Sequence, residues 1–336
     1  MSYPSSAIHR PSSYLITGGG GFIGSFVCER LLNEGSHVIC VDNFITGQRK
    51  NIEHLLPNPN FTLIESDVSQ HDWPLAFSPQ PLSLDFILHL ASPAGPNPKS
   101  PKSYHALPIE TYLVNSIGTH YLLELAKKHR AVFLFASTSE VYGDPEVHPQ
   151  PETYWGHVNP IGPRAIYDES KRLGEAICAS WSRKFGVQTR IARIFNTYGP
   201  RMNPDDGRAI PLFIQSAIAN QPLTIHGDGH QTRSFCYVDD QVDGLLRLLR
   251  SDLNADPVNI GNPIELTIKQ LVETIIRATN SNSVIKYDKL PEDDPERRRP
   301  DISKAKKFLD WSPKIQLEEG LKKTIEYFKK GERLND

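Results

Sequence analysis

Thr17-Gly18-Gly19-Gly20-Gly21-Phe22-Ile23-Gly24 stands between a short β-branched run, Tyr14-Leu15-Ile16-Thr17, and an apolar-periodic stretch from Phe22 to Asn33. A strand that turns into a helix has this pattern, and glycines at 18, 21 and 24 give a GxxGxxG spacing. Gly18 permits the tight turn, Gly21 lets backbone approach a pyrophosphate, and Gly24 lets helix and strand pack closely. The N–H groups of Phe22 and Ile23, at the helix start, are then available to phosphate oxygens. A flexible turn would carry the same glycines, so the choice between them rests on the residues at the ends of the next strands.

The second apolar run, His37 to Val41, leads into Asp42, 18 residues after Gly24. A carboxylate there accepts hydrogen bonds from a ribose diol and repels a 2′-phosphate, and its neighbour is Asn43 rather than arginine. NAD is therefore favoured over NADP. Asp67-Val68 follows a third run, Phe61 to Ile64, and either meets the adenine or caps a turn. Leu90-Ala91-Ser92 follows a fourth, Asp85 to His89, beside the expected nicotinamide ribose; His89 itself also reads as a packed core histidine.

The alternation continues with a long helix over Ile109 to His129, a strand over Ala131 to Ala136, a helix from Tyr167 to Phe185 and a strand over Gln188 to Arg193. It predicts an α/β fold, a doubly wound Rossmann-type parallel sheet spanning 14–195, after a flexible tail at 1–13. Beyond Asn196 the elements shorten, with helices near Ile210–Ala219, Asp239–Leu249, Ile268–Ala278 and Glu318–Lys329. Residues 196–336 are expected to form a smaller, mainly substrate-binding lobe with segments returning to the core. The proline-rich Ser92 to Ser103 is a loop.

The 336 residues carry 37 basic and 39 acidic side chains, a net charge of −2, so no global basic field invites nucleic acid. Cys28, Cys40, Cys178 and Cys236 show neither a CxxC pair nor metal-ligand spacing. They read as free thiols of a reducing cytoplasm, with no metal site. No apolar run approaches the roughly 18–20 residues of a membrane span, and the start has no signal-peptide pattern.

Tyr167-Asp168-Glu169-Ser170-Lys171 is a YxxxK that sets a phenol and an ammonium on one helical face. Lys171 and a positive nicotinamide ring both favour phenolate, which would lower Tyr167 toward neutrality and let it take a hydroxyl proton as hydride leaves. Between cradle and YxxxK lies Ala136-Ser137-Thr138-Ser139-Glu140-Val141-Tyr142-Gly143, at a strand's carboxyl end, where α/β enzymes place their chemistry. Thr138 can bond the same substrate hydroxyl as Tyr167. Glu140 is read as a base at a neighbouring carbon.

TGGGGFIG, VDNF, HLAS, STSEVYG, YDESK and RIFNTYGPRM together resemble the extended short-chain dehydrogenase/reductases, and most closely the UDP-glucuronate decarboxylases, or UDP-xylose synthases. The likeness runs from Tyr14 to about Phe328, and includes the stretch Tyr154 to Arg164 and Arg298-Arg299-Pro300-Asp301-Ile302. By that resemblance Thr138, Tyr167 and Lys171 serve oxidation, while Ser139, Glu140 and Arg298 serve decarboxylation. Asn196 and Arg233 fall on positions that hold the nucleotide diphosphate, and Arg208 meets a phosphate of cofactor or substrate. Among Arg297, Arg298 and Arg299, which come after Glu292-Asp293-Asp294, Arg298 is expected to point inward. The resemblance also implies a homodimer paired through the helices at 109–129 and 167–185.

The implied reaction oxidises carbon 4 of UDP-glucuronate, loses carbon dioxide from the 4-keto sugar, protonates carbon 5 with Arg298 or a water near Glu140 as donor, and reduces carbon 4 to give UDP-xylose. Three rivals stand beside it. A UDP-uronate 4-epimerase needs only Thr138, Tyr167, Lys171 and room to turn the keto sugar, and gives Glu140 no task. A nucleotide-sugar 4,6-dehydratase needs an acid where Ser139 stands. A non-catalytic NAD-binding sensor has no use for both Tyr167 and Lys171. One departure touches sugar recognition: Ala94 to Leu107 is longer and richer in proline and lysine than the family's loop, and Val114 stands where a polar residue is expected.

Overall fold

A computed structural model describes residues 11–73, 83–289 and 297–332. The β-branched and aromatic runs form β1 (Ser13–Thr17), β2 (His37–Asp42), β3 (Phe61–Glu65), β4 (Phe86–His89), β5 (Val132–Thr138) and β6 (Thr189–Ile194). With β11 (Pro257–Ile260) they make a seven-stranded parallel sheet in the order β11-β6-β5-β4-β1-β2-β3. Parallel strands covered on both faces are apolar throughout rather than alternating, which is why β1 and most of β2 and β5 are buried end to end.

Successive side chains still point to opposite faces. Tyr14 and Ile16 join the core beneath α1 (Phe22–Asn33) and α6 (Val238–Leu249), with Val27, Leu31, Leu245 and Leu249. Leu15 joins the other layer, with Leu122, Leu123, Phe133, Phe135 and Cys178, under α3 (Thr119–His129) and α4 (Ala165–Phe185). The chain runs outward from β1 to β3 and, after crossing back, from β4 to β6. The direction reverses between β1 and β4, where Thr17 pairs with His89. Ligands of such sheets bind beyond the strand ends at that reversal.

The helix expected over Ile109 to His129 is one rod in three parts: α2 (Pro108–Leu113), a π turn over Val114–Gly118, and α3. The second half adds α5 (Ala209–Ile218), α7 (Ile268–Thr279), α8 (Ser303–Leu309) and α9 (Leu317–Glu332). It also adds short strands: β7 (Thr197–Tyr198), β8 (Leu223–His226), β9 (Thr232–Ser234), β10 (Cys236–Tyr237), β12 (Glu265–Thr267), β13 (Ile285–Asp288) and β14 (Arg297–Arg298). Strands of two to four residues are too short for a period to register in sequence, and α8 is barely two turns, so none of these is expected from the pattern of residues alone. Residues 1–10 of the expected tail, the acidic run Glu292-Asp293-Asp294 and residues 333–336 lie outside the described residues.

Candidate active site

Gly18 has φ +73°, and a Cβ on it would stand 2.7 Å from the Ala91 backbone; one on Gly24 would stand 2.1 Å from the Gly18 carbonyl. Around Gly21 the crowding is lighter, with the Gly18 oxygen at 3.0 Å the one atom near a Cβ. α1 starts there with no side-chain cap, so Phe22 and Ile23 open a helix whose first turn faces the cradle's mouth. These residues fit a pyrophosphate. Asp42 is buried beside them, its Oδ2 accepting from Gly20 N and its Oδ1 from Phe44 N, both at 2.8 Å. Those two bonds leave lone pairs for a diol.

Asn43 donates through Nδ2 to Asp67 Oδ2 at 3.3 Å, and Asp67 Oδ1 accepts from Ser69 N and Oγ, so Asp67 does cap a turn. Val68 is buried against Gly118 of the π turn. His89 is a braced core residue: burial holds it at about 3, Nε2 donates to the Val114 carbonyl at 3.0 Å, and Nδ1 accepts from Thr17 Oγ1 at 2.7 Å. The Leu90 and Ala91 amides donate to Thr17, and Ser92 Oγ accepts from Asn115 Nδ2 at 3.1 Å. Asn115, in the π turn, also donates to Ser170 Oγ at 3.0 Å and so ties β4 to α4. Nothing in the spacing of the sequence singles it out.

Thr138 ends β5, and its Oγ1 accepts from Glu140 N at 3.2 Å, capping a short 3-10 turn that begins at buried Ser139. Tyr167 lies in the first turn of α4, hydrogen-bonded to Thr138. Lys171, one turn on, donates from Nζ to the Ala136 carbonyl at 2.7 Å and sits 5.8 Å above the Tyr167 ring. Burial pushes Tyr167 up to about 12, outweighing Thr138 and the Arg208 charge, which lower it, and pushes Lys171 down to about 7. Without a bound nicotinamide the phenol therefore stays protonated.

Tyr104 stacks on Tyr167 with ring centroids 5.0 Å apart and an 11° angle between planes. It is buried, and its hydroxyl has no hydrogen-bond partner among the described residues. It belongs to the unusual 94–107 loop, which is folded back by pairing of Gly95 with Ser103 and leans Asn97 on Gly207. The altered loop thus still delivers an aromatic ring to the site. The sequence marks the loop as unusual but not the residue, since loops carry no period.

Glu140 is the electrostatic centre. Its Oε2 accepts from Arg164 Nη2 at 2.6 Å and its Oε1 from Arg298 Nη1. Burial alone would raise this carboxyl, but the Arg164 and Arg298 guanidinia outweigh it and hold it at about 2. A carboxylate so held is a poor proton acceptor. The sequence alone does not show that Arg164 reaches this carboxylate as well as Arg298. Asp168, by contrast, is pushed up to about 8 by burial and by Glu140, and its Oδ1 is buried with no hydrogen-bond partner among the described residues.

Of the three consecutive arginines, Arg297 is exposed, Arg299 intermediate and Arg298 buried at 4% exposure. Nε and Nη2 of Arg298 have no hydrogen-bond partner among the described residues. Arg298 pairs across the ladder with Arg233 of β9, whose Nη1 donates to the Thr232 carbonyl. Asn196 is half-buried just past β6, its carbonyl accepting from Cys236 N, and half-buried Arg208 precedes α5 with its charge acting on the Tyr167 phenol. The Rossmann end and the C-terminal elements meet around Tyr167 and Glu140.

Residues 14–261 match the NAD dependent epimerase/dehydratase family. The chain belongs to that family. Among its NAD dependent epimerase/dehydratase relatives it is similar to UDP-glucuronic acid decarboxylase 1 of Xenopus tropicalis, 50% identical over 316 residues that cover 94% of this chain and 72% of the relative. It is 49% identical over 308 residues to UDP-glucuronic acid decarboxylase 5 of Arabidopsis thaliana, covering 91% of this chain and 86% of that one. Among solved structures it resembles UDP-glucuronic acid 4-epimerase of Bacillus cereus in complex with UDP-glucuronic acid and NAD, with a TM-score of 0.81, 30% identity, and coverage of 95% of this chain and 99% of that one.

Proposed function

We propose that this protein converts UDP-glucuronate to UDP-xylose and carbon dioxide through a 4-keto intermediate, using NAD held between the glycine cradle and Asp42. The observation that carries the reading is the charge around Glu140. Two guanidinia share one carboxylate, and Arg298 keeps two buried donors without a partner among the described residues. Burial and the Glu140 charge push Asp168 toward its protonated form, so it adds little negative charge to the pair of guanidinia on Glu140. Buried guanidinium donors of this kind call for an anionic ligand, and a uronate supplies one where a neutral hexose does not. The likeness to decarboxylases at about half identity, against 30% for the uronate epimerase, supports the same choice.

NAD, which Gly18, Gly21, Gly24 and Asp42 would hold, would supply a reversible hydride acceptor for carbon 4, with no net redox change. Tyr167, oriented by Thr138, takes the proton of the 4-hydroxyl and later gives it back. Lys171 fixes the tyrosine's surroundings from the Ala136 carbonyl. The ketone β to the carboxylate lets the carbon 5–carbon 6 bond break, its electron pair passing into an enolate as carbon dioxide leaves. Arg298 stabilises that enolate through its remaining donors, Ser139 hydrogen-bonds beside it, and carbon 5 gains a solvent-derived proton. Asn196, Arg208 and Arg233 hold the diphosphate within the smaller C-terminal lobe.

Exposed apolar side chains on α2 to α4, among them Tyr112, Ile117 and Leu173, support a homodimer paired along these helices. Four buried free cysteines suit the reducing cytoplasm, and no described helix is long and apolar enough to cross a membrane.

Incubation of the protein with NAD and UDP-glucuronate labelled in the carboxyl carbon should release labelled gas and leave UDP-xylose. UDP-galacturonate without gas would make the protein an epimerase, and turnover of neutral hexoses alone would make it a dehydratase. Gly18→Ala should weaken NAD binding at least about tenfold, because positive φ and a clash with Ala91 together exceed the ~1.4 kcal/mol of one decade. Calorimetric titration with NAD reads this; an unchanged affinity would remove Gly18 from the cradle.

A further inference from the structure

We infer that Arg164 is a positioning residue of this reaction: by occupying one oxygen of Glu140 it restricts Arg298 to the other, and so keeps the Nε and Nη2 donors of Arg298 turned to the substrate. The inference rests on the decarboxylase reading and extends it to a residue outside the catalytic set.

Guanidinium and carboxylate left to themselves form a two-pronged pair, with two parallel N–H···O bonds. Arg298 and Glu140 do not. One prong joins them, from Nη1 to Oε1, and Oε2 belongs to Arg164 at 2.6 Å. Arg298 is 4% exposed, so no bulk water satisfies its two other donor atoms. Leaving such donors unpaired is costly, but a second prong from Arg298 would have to share Oε2 with the Arg164 guanidinium, and two like charges converging on one oxygen repel. Remove Arg164, and Oε2 is open to a second Arg298 prong. The donors that would meet the enolate are then taken up by the protein.

Arg164 is placed for this by the catalytic helix itself. It immediately precedes α4, and its carbonyl accepts from the backbone of Tyr167 at 3.1 Å and of Asp168 at 3.2 Å. One residue therefore links the start of the YxxxK helix to the Glu140 turn. Facing Glu140 are Arg164 and Asp168 at the start of α4, Tyr167 on its first turn, Arg298 on β14 and Tyr104 from the 94–107 loop. Of these groups the two arginines bring the positive charge, so Glu140 loses one of its two paired guanidinia with Arg164.

The test compares the full chain with Arg164→Met and Arg164→Lys in single turnovers of carboxyl-labelled UDP-glucuronate, following nicotinamide reduction by absorbance and gas by label. In Arg164→Met, reduction should stay within about threefold of the parent, since Thr138, Tyr167 and Lys171 are untouched, while gas release falls about 10²–10³-fold, the scale for losing one stabilising donor. Arg164→Lys still occupies Oε2 and should recover at least about tenfold of that loss. Equal losses of reduction and gas, or no loss of either, would overturn the inference. If the Met variant does not hold NAD, Arg164→Gln takes its place under the same criteria. A carbon-13 NMR titration of the Glu140 carboxyl separates this inference from the reading beneath it. That carboxyl should titrate at higher pH in Arg164→Met than in the parent, whatever sugar the enzyme turns over. An unmoved titration refutes the role of Arg164, whereas a parent enzyme that releases no gas refutes the decarboxylase reading alone.

Discussion

Replacing Tyr167 with phenylalanine is expected to cut turnover by about 10²–10⁴-fold, the range for losing a positioned proton acceptor. NAD affinity and melting temperature should stay close to those of the parent. The side chain is buried and its ring lies flat on Tyr104, packing that phenylalanine keeps. Thr138 loses one partner yet still accepts from Glu140 N. What disappears is the oxygen that takes the 4-hydroxyl proton. Steady-state rates with UDP-glucuronate, alongside NAD titration, separate the outcomes; undiminished turnover would mean that another group moves this proton, or that the site only senses the dinucleotide.

Glu140→Gln should be the more disruptive change. It leaves Arg164 and Arg298 both charged and neither neutralised, in a place where the side chain of Arg298 is 4% exposed. Breaking a buried pair from one side costs about 3–5 kcal/mol, and the partial exposure of Arg164 puts this case at the lower end. Gas release should fall at least about a hundredfold, because both guanidinia lose the anion that orients them. Binding of the uronate should not weaken, since the site becomes more positive.

The pH dependence of stability gives an independent check. The folded carboxyl sits at about 2 against an ordinary value of 4.5, so its contribution is present above that ordinary value and is lost as pH falls through the folded one. The stability gap between parent and Glu140→Gln should therefore narrow progressively as pH falls below about 4.5. A gap that stays constant down to the acid limit of folding would show that the carboxylate is not held by the arginines.

The glycine cradle, the strands β1 to β6 and the Tyr167–Lys171 spacing are legible in sequence because each depends on neighbours close along the chain. A short apolar run, a period of three to four residues, a positive-φ turn and an i,i+4 pair are local signals. Arg164 lies three residues before Tyr167, but its meaning comes from a turn 24 residues earlier that folds back to meet it. Arg298 reaches the same carboxylate across 158 residues. No local pattern encodes either meeting, so the sequence shows Glu140 without the two arginines that hold it. Tyr104 is hidden for a related reason, since its loop has no repeat and only the folded chain lays its ring on Tyr167. The π turn at Val114–Gly118 leaves the apolar period of its helix nearly intact, and so reads as ordinary helix.

The decisive measurement uses UDP-glucuronate carrying deuterium at carbon 4, turned over with NAD in ordinary water, with the product sugar examined by mass and proton NMR. Hydrogen lent to nicotinamide and returned within one active site predicts UDP-xylose that keeps the deuterium at carbon 4 and has gained one solvent proton at carbon 5. Product that has lost the deuterium, or a six-carbon product bearing it with no carbon dioxide formed, would contradict that mechanism.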